Sequence, residues 1–296
     1  MSTSICEPPL ATAFLTTRYP TGSPVNWSFA DMKLGLSLYS FGADFHAGKI
    51  DVYQAIRKAA EMGCDGVEII AEQHIPGWPN PNLDVLKAIR ELVTSLEMEI
   101  FCFSCYFGTN IRSDRPQTFE EMVDNAKRMI ALTSYLGAPI MRPAFNAEPV
   151  GQLIDFVNAV LPTLEEYGVI WGVELHAPHP PSYYQEALET VESPWFRLVP
   201  DFSCWQGPNA PGQIQTNDLS TFEPLLKYTV HCHAKAHMFD ANGEEPNTPY
   251  KELLGMLKDY GFEGSVAGEY EGWIIAYQPS EQPTKVLFDL LERYGR

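Results

Sequence analysis

From Met32 to the C-terminus the chain alternates, eight times over, between a short apolar run rich in β-forming residues and a longer segment with a helical period. No other feature restricts the possible folds as much. "KLGLSLYS" is followed by "DVYQAIRKAAEMG", where Val52, Ile56, Ala59 and Ala60 form an apolar stripe and Gly63 supplies a stop. "DGVEII", "MEIFCFS", "PIMRPA", "VIWGVELHA", "FRLVPDFS", "YTVHCHAKA" and "GSVAGEYEG" continue the strand series. The segment "TFEEMVDNAKRMIALTSYLG" opens on a capping box, Thr118 with Glu121, and closes on Gly137. Each helix carries the chain back to the end where its strand began, so the strands must run parallel. Eight such units within residues 32–296 predict an α/β fold of the closed (β/α)8 type, a TIM barrel, as a single domain. Residues 1–31, rich in Pro, Thr and Ser without either period, are expected to form an N-terminal extension. No GxGxxG follows the first strand, which removes the main cue for a dinucleotide-binding sheet. The helical segments around "YYQEALETV" and "DLSTFEPLLK" are the least regular of the eight.

Composition narrows the range of partners. Lys plus Arg number 20 against 38 Asp plus Glu, a formal charge of −18. Such a surface repels phosphate backbones and anionic lipid, so neither nucleic acid nor a membrane is expected as a partner. No apolar run reaches the ~20 residues of a membrane span, and the N-terminus has no basic, then apolar, leader pattern. Cys102 and Cys105 form a lone CxxC within a strand, with no second pair to complete a zinc ribbon. Reduced thiols and a cytoplasmic location are the expectation.

Chemistry in a barrel of this kind gathers at the C-terminal ends of the strands. There the last four strands each present a metal-type side chain: Glu174 in "VELHAP", Asp201 in "VPDFS", His233 in "HCHAK" and Glu269 in "GEYEG". Neighbouring strands lie about 4.8 Å apart, so the four can converge on one ion. Three carboxylates and an imidazole suit Mn²⁺ first, with Mg²⁺, Co²⁺ or Zn²⁺ as alternatives. By strand period His231, His233, Lys235 and His237 share one face, His231 deepest and His237 nearest the mouth. One strand supplying one ligand and several pocket residues is the better reading of that tract than a zinc site of three histidines. Aromatic residues fall where the rim loops should be, among them Trp78, Tyr106, Trp205 and Trp273, and offer flat faces to a sugar. Arg142 and Lys235 are among the few cations near the rim, and Arg142 can equally pair with Glu68 inside the barrel. The last strands lack a glycine-rich phosphate cradle, which points to an unphosphorylated substrate.

Over Met32 to the C-terminus this pattern resembles the xylose isomerase-like superfamily of sugar isomerases and epimerases, through "GVEII", "GVELH", "PDFS", "HCHAK" and "GEYEG". The resemblance implies a divalent metal on Glu174, Asp201, His233 and Glu269, with Glu174 and Glu269 as the paired catalytic carboxylates. Two features depart from the ketose 3-epimerase pattern: Cys204 stands where those enzymes carry a histidine, and Lys235 and His237 occupy the neighbourhood where they carry an arginine. "EQHIPGWPNPN" and "VELHAP" are similar to the α subunits of C-glycoside deglycosidases, metal-dependent lyases that cleave 3-oxo-C-glucosides together with a small β subunit. That likeness implies His176 as a general base.

A cation that polarises a sugar carbonyl, with a rim base that removes the neighbouring proton, supports isomerisation, epimerisation or elimination alike. Three readings therefore follow. One is a metal-dependent isomerase or epimerase of an unphosphorylated sugar or keto-glycoside, with Trp78, Tyr106, Arg142, Trp205, Lys235, His237 and Trp273 as substrate contacts. Another is a carbon–carbon lyase with a β-subunit partner. The third is a non-catalytic sugar-binding barrel. Self-association is the alternative to a β-subunit partner.

Overall fold

The computed structural model describes residues 32–106, 115–145, 149–203, 218–276 and 279–296. The N-terminal extension, Cys204 and Trp205 lie outside the described residues. The strands are β1 (Lys33–Ser37), β2 (Gly66–Ile70), β3 (Glu99–Cys105), β4 (Ile140–Pro143), β5 (Ile170–Leu175), β6 (Phe196–Pro200), β7 (His231–Ala236) and β8 (Ser265–Tyr270). They form one parallel sheet in the order β6-β5-β4-β3-β2-β1-β8-β7. Two isolated bridges, Leu198↔Thr229 and Asp201↔His233, join its two ends and close the barrel.

Helices wrap the outside: α1 (Val52–Met62), α2 (Leu83–Ser95), α3 (Phe119–Leu136), α4 (Val150–Tyr167), α5 (Pro181–Val191), α6 (Tyr250–Tyr260) and α7 (Glu281–Gly295). On α1 the residues Val52, Ala55, Ile56 and Ala59 are buried against the sheet, worth roughly 1.5–3 kcal/mol for each of the larger aliphatic side chains. Its start is fixed by a capping box of Asp51 and Gln54, and its end by Gly63 in the left-handed region at φ 91°. The Thr118–Glu121 box and the Gly137 stop bound α3 as the sequence predicts.

One expected helix is absent. Between β6 and β7 the stretch around "DLSTFEPLLK" forms 3-10 turns, Leu219–Thr221 and Glu223–Tyr228. Pro224 at the start of the second turn and the Asp218 side chain, which accepts from Ser220 N–H, favour tight local turns over an α-helix. Cys64, Cys102, Cys105 and Cys232 are buried and unbridged.

Candidate active site

Polar side chains fill the interior of the barrel, and β7 ranks them by height. His231 is deepest, with Nε2 3.2 Å from Glu68 Oε2 and Nδ1 2.6 Å from Ser265 Oγ. His233, one step up, stands between Glu68 and Glu174: its Nε2 is 2.9 Å from Glu68 Oε2 and its Nδ1 2.7 Å from Glu174 Oε1. Lys235, another step up, directs Nζ to Asp201 Oδ2 at 2.9 Å, Glu269 Oε1 at 3.2 Å and Glu271 Oε2 at 3.3 Å. Period-two alternation puts all three on the lumen side. Across from them Arg142, on β4, places its guanidinium 3.4 Å from Glu174 and 4.0 Å from Glu68.

Above this column opens a cavity of about 250 Å³, lined among others by Tyr39, Tyr106, Arg142, Glu174, His176, Lys235, Glu269 and Glu271. His176 Nδ1 lies 2.7 Å from the Ala177 carbonyl. Donating there leaves the lone pair of a neutral ring on Nε2. The Tyr184 hydroxyl holds the same segment by donating to the His176 carbonyl at 2.8 Å.

Glu174, Asp201 and His233 offer ligand atoms that all lie within 4.8 Å of one another. Glu269 stands slightly apart. Its Oε2 is 3.8 Å from His233 Nδ1, while Lys235 holds its other oxygen. The donors fit a divalent cation on two counts. Asp201 Oδ2 is buried, and although Lys235 Nζ lies 2.9 Å away it has no aligned hydrogen bond. The Glu68, Glu174, Asp201, Glu269 and Glu271 carboxylates also outnumber the Arg142 and Lys235 cations that touch them. Glu68, His231 and His233 form a second group with the same mutual reach.

The charges perturb one another. Burial alone would lower the His233 imidazole, but the Glu68 and Glu269 carboxylates overturn that and hold it well above its ordinary value. Burial would raise Glu174, yet Arg142 and His233 bring it well below the carboxylate range. Glu269 is pushed up, by burial first, against the pull of Lys235 and His233. The two carboxylates are thus driven in opposite directions by their charged neighbours.

Of the residues expected from sequence to touch substrate, Tyr106, Arg142 and Lys235 lie on the cavity wall. Trp78, His237 and Trp273 are not among the lining residues: Trp78 donates Nε1–H to Glu72 at 3.1 Å, His237 Nε2 is 3.2 Å from Glu271, and Trp273 packs on Tyr39 with ring centroids 5.3 Å apart. Arg142 faces the cavity and also approaches Glu68 inside the barrel. Glu271 was missed in the sequence reading. Burial would raise its carboxyl, but Lys235 and His237 lower it to about 2. Its signal was there, since Glu271 follows Glu269 by two and so shares its side of an extended strand. Tyr39 lies on the same wall, its hydroxyl donating to Glu271 Oε1 at 3.3 Å.

A model of the xylose isomerase-like TIM barrel matches residues 56–294, and the chain belongs to that family. The C-glycoside deglycosidase alpha subunit of Arthrobacter globiformis is 25% identical, with 81% of this chain and 84% of that protein covered. The 3'-dehydrocarminate deglycosidase alpha subunit of a Microbacterium species is 24% identical over 81% of this chain and 88% of its own. Among solved structures, D-psicose 3-epimerase from Clostridium cellulolyticum superposes with a TM-score of 0.71 at 13% identity, covering 90% of this chain and all (100%) of the other. No helix among the described residues is long and apolar enough to cross a membrane.

Proposed function

We propose that this barrel removes a proton from the carbon beside the carbonyl of an unphosphorylated keto-sugar or keto-glycoside, with a divalent cation, Mn²⁺ first, held by Glu174, Asp201, His233 and Glu269. The observation that carries the reading is the meeting of Glu174, Asp201 and His233 at one point under a 250 Å³ cavity, with Glu269 beside them. The ion would supply Lewis-acid polarisation of the carbonyl, without which the neighbouring C–H is barely acidic. His176, with its lone pair on Nε2, and the Glu174 and Glu269 carboxylates are the proton acceptors on the cavity wall. Arg142 and Lys235 place positive charge beside the oxygen on which negative charge would develop. Both cations are already engaged by carboxylates, which supports an uncharged substrate over a phosphorylated one.

A specific observation favours elimination over isomerisation. The deglycosidase α subunits are 25% and 24% identical over most of this chain, against 13% for the psicose epimerase. On that reading the product is a released aglycone, and a small β subunit is the partner.

Incubation in D₂O with added Mn²⁺, testing free ketoses against 3-oxo-glycosides, separates the readings. Deuterium uptake beside the carbonyl without aglycone release supports isomerase or epimerase chemistry, and release supports the lyase. If neither occurs with any substrate, and Glu269→Gln binds sugar as the wild type does, proton abstraction is wrong and a sugar-binding barrel is left.

A further inference from the structure

His233 has two ring nitrogens and two sets of carboxylates, one on each side. Nδ1 faces the cavity group, at 2.7 Å from Glu174 and 3.8 Å from Glu269. Nε2 faces the barrel floor, where Glu68 is fully buried. We propose that Glu68 is a positioning residue that keeps the proton of His233 on Nε2, so that Nδ1 is the atom presented to the cation. This rests on the cation reading given above.

The hydrogen-bond inventory at the floor leaves few alternatives. An ionised carboxylate only accepts, so each polar group that faces it must bring a hydrogen. Glu68 Oε1 takes the Ser104 hydroxyl in a short contact. Oε2 faces His231 Nε2 at 3.2 Å and His233 Nε2 at 2.9 Å. His231 can meet this demand while neutral, because Ser265 Oγ stands 2.6 Å from its Nδ1 and can donate there. For His233 the contact is at ion-pair distance and lacks hydrogen-bond alignment. Glu68 is still the acceptor within reach of that nitrogen.

With a hydrogen committed to Nε2, Nδ1 faces Glu174 Oε1 at hydrogen-bond distance, 2.7 Å, so that side of the ring takes either a second ring proton, as in the metal-free chain, or a cation in its place. Two lone pairs at that separation repel unless a proton or a metal ion lies between or beside them. The floor network therefore decides which edge of the ring acts as a ligand. Carboxylate–imidazole–metal arrays of this type fix the tautomer and the ring orientation, and removing the carboxylate costs on the order of 10- to 100-fold in metal affinity. The competing idea is a second ion among Glu68, His231 and His233, whose ligand atoms are within 4.8 Å. Against it, the Arg142 guanidinium is 4.0 Å from Glu68 and the Ser104 hydroxyl already occupies Oε1.

The test is titration of the metal-free full-length chain with Co²⁺, following stoichiometry, affinity and the visible absorption bands, in wild type and in Glu68→Gln. The expected result is one ion per chain in wild type. In Glu68→Gln the affinity should fall about 10- to 100-fold with displaced absorption bands, which a merely structural role would not produce. Unchanged affinity and spectrum in Glu68→Gln overturn the inference while leaving the cation site standing. Two ions per wild-type chain, one of them lost in Glu68→Gln, overturn it in favour of a floor site. A wild-type chain that takes up no Co²⁺ or Mn²⁺ sinks the cation reading itself. Should Glu68→Gln not fold, ¹⁵N-imidazole spectra of the wild type loaded with Zn²⁺ decide: Nδ1 as the metal-bound nitrogen of His233 supports the inference, and Nε2 overturns it.

Discussion

The two edges of β7 are held in different ways. Toward β8 the strand runs a continuous parallel ladder, from His231↔Ser265 through Ala236↔Tyr270. Toward β6 the described contacts are two isolated bridges, with Val230 N donating to Leu198 O at 3.1 Å and Phe202 N to His233 O at 2.9 Å. The second bridge is the pairing of Asp201 with His233, two of the proposed ligands. At the sparse seam, side chains take over from the backbone. Lys235 reaches Asp201 on one side and Glu269 on the other, and a cation on Asp201 and His233 would staple the same gap. The candidate site and the seam coincide, so the proposed chemistry and barrel closure would draw on the same residues.

The sharpest way to break this comparison is to remove the seam ligand. Asp201→Asn is expected to lower turnover of the matching substrate by about 10³-fold, the scale of losing a main electrostatic catalyst. Hydrogen exchange gives the structural side. Mn²⁺ at about 100 times its dissociation constant should slow the Phe202 and Val230 amides by about 100-fold in wild type. In Asp201→Asn the slowing should vanish, and the amides of the β7–β8 ladder should change little. Equal slowing at both edges would mean the ion does not act at the seam.

Lys235→Met comes next. It leaves the buried Asp201 and Glu269 carboxylates without their shared ammonium, which costs about 3–5 kcal/mol in urea unfolding of the metal-free protein. Added Mn²⁺ should restore part of it. A loss below about 1 kcal/mol would show that this ammonium does not hold β6, β7 and β8 together.

The effect least tied to the seam sharpens the comparison from the far side of the barrel. His74, beyond β2, is buried with Nδ1 accepting from Ile70 N–H at 3.0 Å, and burial, only partly offset by Glu68, lowers it from 6.5 to about 3. Below pH 6.5 the unfolded chain takes a proton that the folded one refuses. Stability at this position is therefore complete above that pH and falls by about 1.4 kcal/mol per pH unit down to about pH 3. His74→Asn should flatten that slope in acid-unfolding curves, without moving the Mn²⁺ dependence of the seam amides. An unchanged slope would place the acid sensitivity elsewhere.

Much of this molecule could be read along the chain. The period of each segment predicted the strands and most of the helices, and the Thr118–Glu121 box and the Gly63 and Gly137 stops marked helix ends. Strand-end position alone selected Glu174, Asp201, His233 and Glu269, because in a parallel barrel the ends of successive strands must share one rim. These features are local, set by the spacing of residues within one element. What no spacing encodes is distance across the lumen. That Glu68 meets His231, 163 positions away, that Lys235 reaches three carboxylates, and that His237 and Trp273 pack against the cavity-lining Glu271 and Tyr39 were decided by closure. The tilt and stagger of closed strands fix which side chains share a layer, and that geometry exists only once the seventh strand has met the sixth.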